Sequence, residues 1–230
     1  MHLRRIAVTQ RVDEVASYRE RRDCIDQRWA VLLGRCGFLP VYVPNTLSDI
    51  EAWVSSLNVE GCILTGGNDL SSIPGAGSPA PERDRTEAAL LDMAYADALP
   101  VLGVCRGLQM LNYYFGGSLT PVGGHVAVRH TVSPIGSAEE HEGAPSAHLI
   151  RNAPLEVNSF HDYGFSAEDT SRRLVPLLAS DDGCVEAVVH RELPWVGIMW
   201  HPEREEPFRD PDIGLIGMLF GDTSDEKEYQ

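Results

Sequence analysis

A lone cysteine stands between two glycine steps in Leu99-Pro100-Val101-Leu102-Gly103-Val104-Cys105-Arg106-Gly107-Leu108-Gln109. The apolar run stops at Cys105, and an amphipathic stretch from Arg106 to Phe115 begins directly after it. The thiol is therefore expected at a strand-to-helix junction. Glycines on either side let the chain turn sharply and bring backbone amides close to a substrate. A thiol at a helix N-terminus feels the positive end of the helix dipole, which favours the thiolate that attacks carbonyls. The layout is that of an exposed nucleophile elbow with cysteine in the place of serine.

A second segment complements the first. Trp195-Val196-Gly197-Ile198-Met199-Trp200 reads as a buried strand that delivers His201-Pro202-Glu203. In an extended chain, residues two apart point to one side, and Pro202 biases His201 toward extended geometry. The imidazole of His201 can then take the thiol proton while the Glu203 carboxylate orients the ring and stabilises its charged form. Taken singly, Cys105 reads as core packing, His201 as a strand-end histidine, and Glu203 as part of the charged run Glu203-Arg204-Glu205-Glu206. The combination points to a Cys-His-Glu triad. Cys62 and Cys184 lie in apolar runs and read as packing residues.

GVCRGLQ followed far downstream by WHPERE resembles the class I glutamine amidotransferase superfamily, and within it the γ-glutamyl hydrolase branch, peptidase family C26. Thr65-Gly66-Gly67-Asn68-Asp69 stands where that family carries its oxyanion-loop glycines, and Asn158-Ser159-Phe160-His161 resembles its NSxH substrate-contact segment. The resemblance implies hydrolysis of a small-molecule γ-glutamyl amide through a thioester on Cys105, with the backbone N–H groups of Gly67 and Arg106 as oxyanion donors. It also implies that Gln109 holds the glutamyl moiety and that Ser159, Phe160 and His161 contact its α-amino and α-carboxylate ends. Neither a cofactor nor a metal is required, and the histidines show no zinc-ligand spacing.

The stretches Ile6-Ala7-Val8-Thr9-Gln10-Arg11, Ser17-Tyr18-Arg19-Glu20, Gly37-Phe38-Leu39-Pro40 and Ile63 to Leu70 look like those of γ-glutamyl-CDP-amidate hydrolases in capsule phosphoramidate biosynthesis. Two alternatives stand beside that substrate: a γ-glutamyl-polyamine or γ-glutamyl-GABA type hydrolase, and a glutaminase subunit passing ammonia to a separate synthetase. His161-Asp162-Tyr163-Gly164 departs from the many family members that carry a second histidine or a glutamine there. If phosphates leave with the nitrogen, Arg11 at the end of the first strand and Arg129 in the second half would approach them from two sides, since guanidinium pairs well with phosphate oxygens. Arg19, Arg21 and Arg22 read as a solvated helix face.

Composition sets further bounds. A chain of 230 residues, 43% hydrophobic, suits one α/β domain spanning residues 1–230. No apolar run reaches membrane-spanning length, and Met1-His2-Leu3-Arg4-Arg5 leads into a short strand with no signal-peptide core. Five scattered cysteines argue against a disulfide framework and for a reducing cytoplasm. A net charge of -15 disfavours nucleic acid as a partner. A homodimer remains open, and the acidic tail Asp222 to Glu228 reads as frayed and solvated.

The elements that must position these groups alternate. Strands are expected at Arg5–Thr9, Leu39–Val43, Gly61–Thr65 and the run ending at Cys105. Helices are expected from Tyr18 to Cys36, Leu47 to Ser56, a capping box at Asp84 and Glu87 to Leu99, and Arg106 to Phe115. This is a doubly wound, mostly parallel sheet with helices on both faces, of flavodoxin-like type. The carboxyl ends of its strands bring Thr9-Gln10-Arg11, Gly66-Gly67 and Cys105 to one edge. From Gly117 to Val175 the chain is loop-rich, with short strands near Val126–Val132 and Leu155–Phe160. Antiparallel strands at Leu174–Leu178, Val185–His190 and Trp195–Trp200 extend the sheet, and a last helix starts at Asp210-Pro211.

Overall fold

The computed structural model describes residues 3–135 and 144–221. Its first half runs β1 (Arg5–Thr9), a hairpin of β2 (Arg11–Val15) and β3 (Glu20–Cys24), α1 (Arg28–Arg35), β4 (Leu39–Val43), α2 (Ile50–Ser56), β5 (Gly61–Leu64), α3 (Pro81–Ala96), β6 (Val101–Val104) and α4 (Arg106–Tyr114). The second half adds β7 (Thr120–Pro121), β8 (Val126–Pro134), α5 (Ala144–Asn152), β9 (Leu155–Phe160), β10 (Tyr163–Gly164), β11 (Leu174–Ser180), β12 (Val185–His190), β13 (Trp195–Ile198) and α6 (Asp210–Phe220).

Nine strands form one sheet in the order β4-β1-β5-β6-β13-β12-β11-β8-β9. The first five pair in parallel and the rest antiparallel, so the α/β architecture with added antiparallel strands is the one expected. Alternation along β1 shows why helices cover both faces. Ile6 and Val8 pack on one side with Trp29, Leu32 and Phe220, while Ala7 packs on the other with Leu64, Leu90 and Leu108. Each inner strand is thus buried twice over, as parallel sheets require.

Two local expectations are corrected. The helix expected from Tyr18 begins only at Arg28, because residues 11–24 form the β2–β3 hairpin. Glu20-Arg21-Arg22-Asp23 has no apolar stripe for a helix to bury; as a hairpin it sets Arg21 opposite Glu14 at 3.3 Å. Arg19, Arg21 and Arg22 accordingly sit on the hairpin and not on a helix face. Nor do Asp84 and Glu87 cap α3, whose N-cap is Ala80 followed by Pro81. Both carboxylates instead pair with the Arg106 guanidinium. In the loop-rich stretch, α5 was not foreseen; it packs on α6, with His148 Nε2 2.7 Å from the Pro211 carbonyl.

All five cysteines are free thiols. No helix among the described residues is long and apolar enough to cross a membrane. The acidic tail from Asp222 lies outside the described residues.

Candidate active site

Cys105 sits between β6 and α4 with φ 53° and ψ -108°, a conformation that costs a non-glycine residue of order 1–3 kcal/mol. Its surroundings over-determine it. Its amide donates to the Ile198 carbonyl of β13 at 2.8 Å, and its carbonyl accepts from the Gln109 amide at 3.1 Å. Gly107 makes the turn sterically possible: a Cβ there would stand 2.1 Å from the Leu64 carbonyl oxygen. The first turn of α4 is thereby pressed against β5. The elbow is not exposed as expected, for Cys105 is 5% exposed and packs into the core cluster with Ile198 and Trp200. Burial pushes the Cys62 thiol up to about 12 and Cys36 to about 11, so neither is a thiolate near neutral pH.

His201 is extended, at φ -107° and ψ 95°, but the chain then curls into a short 3-10 turn at Pro202–Arg204. The carboxylate therefore reaches the ring through a turn and not by simple alternation. His201 Nδ1 and Glu203 Oε1 are 2.7 Å apart, both buried. Asn158 on β9 holds the His201 backbone from both sides, accepting from its amide and donating to its carbonyl at 2.9 Å each. Arg28 Nε donates to the Glu203 carbonyl at 2.7 Å. His201 Nε2 is buried with no hydrogen-bond partner. Burial pulls the proton affinity of this ring down, but the Cys105 sulfur and the Glu203 carboxylate outweigh it and raise His201 to about 9. A protonated ring beside the Glu203 carboxylate is the state so favoured.

Gly66 and Gly67 follow β5 beside this ring. A Cβ on Gly66 would meet His201 Cε1 at 2.5 Å, and Gly67 has φ +86°. A buried ion network fixes their loop. Arg83 of α3 donates to the carbonyls of Thr65, Gly66 and Gly67 and, through Nε, to Glu87 at 2.8 Å. Glu87 also accepts from Thr9 Oγ1 at 2.8 Å and pairs with Arg106. Burial alone would raise the Glu87 carboxyl, but Arg106 and Arg83 hold it below the ordinary carboxylate value. The carbonyls of Thr65, Gly66 and Gly67 are thus all turned toward the Arg83 guanidinium.

The other anticipated residues divide. Phe160 lies edge-on to His201 at 5.7 Å between ring centroids, and Arg204 stacks over Phe160 at 4.4 Å. Arg11 Cδ would be 3.1 Å from a Cβ on Gly67; its guanidinium pairs with Asp13 at 2.7 Å and is half exposed. Gln109 is buried and donates to the Tyr163 carbonyl at 2.8 Å. Ser159 is buried and donates to the His125 carbonyl at 2.7 Å, turned away from His201 as strand alternation requires. His161 follows it into a buried group with His125 and Glu186. Arg129 pairs with Glu156 and Glu205 in a groove with Arg35 and Phe208, apart from the cavity beside His201.

That cavity, of about 170 Å³, is bordered by Arg11, Asp13, Asp26, Gly67, His201 and Arg204. Cys105 does not line it, so it opens on the imidazole side of the elbow. Arg83, Arg204 and the gripping role of Asn158 went unread in the sequence. The i, i+4 spacing of Arg83 and Glu87 was the available signal for the network. Among the described residues, His125, His130 and Glu186 bring donor atoms within reach of one ion, as do His125, His161 and Cys184. Their spacing in the chain gave no hint, since separate strands carry them.

A thiol on a strained elbow, a carboxylate-paired imidazole near it and a glycine loop with clamped carbonyls can together carry out acyl transfer. Comparison with known proteins agrees. The Peptidase C26 family model matches residues 6–203. Over 212 residues the chain is 31% identical to the γ-glutamyl-CDP-amidate hydrolase of Campylobacter jejuni, covering 90% of this chain and 94% of that protein. It is 30% identical over 222 residues to the γ-glutamyl-γ-aminobutyrate hydrolase of Escherichia coli O157:H7, covering 85% and 83% of the two chains. A glutamine amidotransferase from Thermotoga maritima superposes with a TM-score of 0.62 at 15% identity, covering 95% of this chain and 97% of its own. The chain belongs to the Peptidase C26 family and is an amide hydrolase.

Proposed function

We propose that the chain is a cysteine-dependent γ-glutamyl hydrolase whose leaving group is a phosphoramidate carried on a nucleotide, as in γ-glutamyl-CDP-amidate. The observation that carries the chemistry is the His201 ring: Nδ1 is held by Glu203 at 2.7 Å, and the buried Nε2 is left without a partner beside Cys105. Cys105 Sγ as thiolate attacks the γ-carbonyl carbon, and the carbonyl oxygen becomes an oxyanion. The backbone N–H groups of Gly67 and Arg106 are the donors for it; losing one such donor costs about 10²–10³ in rate. Collapse breaks the C–N bond while the proton on His201 Nε2 goes to the leaving nitrogen, giving a γ-glutamyl thioester. Neutral His201 then takes a proton from water, hydroxide attacks the thioester, and Cys105 leaves as thiolate with free glutamate.

Because His201 protonates the departing nitrogen, the leaving group must lie on the imidazole side, where the 170 Å³ cavity opens. Arg11 and Arg204 offer guanidinium groups there for phosphate oxygens, against Asp13 and Asp26 on the same wall. The 31% identity to the amidate hydrolase over nearly both whole chains supports that choice. The experiment compares γ-glutamyl-CDP-amidate, γ-glutamyl-GABA and glutamine as substrates of the purified chain. An Arg11→Ala variant is expected to lose kcat/KM selectively on the nucleotide substrate. Equal losses on all three, or a wild-type preference for γ-glutamyl-GABA or glutamine, would sink the substrate assignment.

The pH profile tests the base. With His201 at about 9, the protonated ring needed by the leaving nitrogen is lost as pH rises through that value, so kcat/KM should fall on an alkaline limb near 9. Glu203→Gln removes a charge that raises the ring, so this limb should move to lower pH. The variant should also lose less rate than His201→Ala, which removes the proton carrier of both half-reactions. An alkaline limb that stays fixed in Glu203→Gln would assign it to another group.

A further inference from the structure

The carboxylate of Glu186 on β12 is fully buried and takes no part in the proposed mechanism. Neither of its oxygens has a hydrogen-bond partner of normal geometry. Three imidazole nitrogens nevertheless face it: His125 Nδ1 at 3.5 Å and His161 Nε2 at 3.4 Å from Oε1, and His130 Nε2 at 3.5 Å from Oε2. These three nitrogens are likewise buried without partners. Five buried polar atoms without partners in one place are costly unless something joins them.

The outer nitrogens determine the tautomers. His125 Nε2 lies 2.9 Å from Asp182 Oδ2, and His161 Nδ1 lies 3.0 Å from the Tyr163 carbonyl oxygen. Both partners only accept, so each outer nitrogen carries the ring proton. A neutral ring then turns a lone pair inward, toward a carboxylate that has only lone pairs to offer. Positive charge must sit between them, either as extra ring protons or as a cation.

The separations favour a cation. N–H···O bonds cluster near 2.9–3.0 Å, whereas all three contacts here are 3.4–3.5 Å. Nitrogen and oxygen ligands about 2.0–2.2 Å from a tetrahedral ion stand about 3.3–3.6 Å from one another. Imidazoles whose far N–H is held by a carboxylate or a backbone carbonyl are the usual outer arrangement of metal-bound histidines. We propose that His125, His130 and Glu186, whose donor atoms all lie within 4.8 Å of one another, form a site for one divalent transition-metal ion of the zinc class, with His161 Nε2 facing Glu186 Oε1 from outside that set. Binding releases any inner ring proton to solvent, since only neutral imidazole ligates.

The ion would fasten the segment that serves His201. His125 precedes β8 and His161 follows β9, where the His161 amide donates to the His125 carbonyl at 3.1 Å. The same strand β9 grips the His201 backbone through Asn158 and meets its ring through Phe160.

The test uses the full chain carrying Cys105→Ala, so that the active-site thiolate cannot bind the probe. After dialysis against a chelator, zinc is titrated calorimetrically, Co²⁺ is followed by its visible d–d bands, and Tm is measured with and without zinc. One equivalent of zinc, four-coordinate Co²⁺ bands and a raised Tm are expected. His130→Ala and Glu186→Gln should each weaken zinc affinity by about tenfold or more. Lack of stoichiometric binding, or affinity unmoved by His130→Ala, would overturn the site. So would a thiolate-to-cobalt charge-transfer band abolished by Cys184→Ser, which would move the ion to the sulfur set.

Discussion

Replacing Cys105 by alanine or serine should abolish γ-glutamyl turnover, by about four to six orders of magnitude in kcat, while leaving the fold intact. In the proposed mechanism both half-reactions pass through its sulfur, so no neighbour can stand in for it. Its neighbours contribute only what remains: oxyanion donors and substrate binding. The fold survives because the removed atom is small and the backbone bonds of the elbow, Cys105 amide to Ile198 and Gln109 amide to Cys105, do not involve the side chain. Cys105→Gly should be as inactive yet more stable than Cys105→Ala, by about 1 kcal/mol, since glycine adopts φ 53° without strain. Turnover by the alanine variant, or a glutamyl adduct trapped on Cys24, Cys36, Cys62 or Cys184 in the wild type, would end the assignment.

The second large effect is on stability. Glu87→Ala removes the carboxylate shared by two buried guanidinium groups, leaving Arg106 with Asp84 alone and Arg83 with loop oxygens alone, and removes the acceptor of Thr9 Oγ1. Removing one partner of a buried ion pair typically costs about 3–5 kcal/mol. The urea midpoint should drop at unchanged slope. Whatever folded protein remains should also have lower kcat/KM, because Arg83 holds the carbonyls of Gly66 and Gly67 beside His201. The sign with pH follows from the depressed Glu87 carboxyl. Its contribution is complete above the unfolded carboxylate value and is lost as pH falls through the lower folded value. Glu87→Gln should therefore flatten the acid limb of stability as well as lowering it. An unchanged midpoint would show that the network contributes nothing net.

Much of the site was legible because its signals are local. Glycines around Cys105, and a proline between His201 and Glu203, announce geometry that adjacent residues impose by themselves. Naming Arg5–Thr9 a strand likewise entails the opposite faces that Ile6 and Ala7 occupy. What stayed hidden depends on distant segments. Glu87 looked like a capping residue because Arg106 is far along the chain and meets it only after α3 and α4 pack. The histidines 125, 130 and 161 lack metal-ligand spacing because β8, β9 and β12 bring them to Glu186 from separate directions. The hairpin was mistaken for a helix because its charges are satisfied across strands, a pairing that periodicity along one strand does not display.

That hairpin stands apart from the nine-stranded ladder. Side chains fasten it: Asn68 exchanges hydrogen bonds with both backbone groups of Val12, Asn45 binds Asp23 twice, and Arg21 reaches Glu82. Its own backbone ladder is two strands wide and half exposed, so its amides should exchange with solvent well before those of β1, β5 and β6. It also carries Arg11 and Asp13 to the cavity beside His201. If the leaving group is held at that cavity, as proposed, the hairpin that borders it can be recut, in evolution or by grafting, without reopening the core around the thiol.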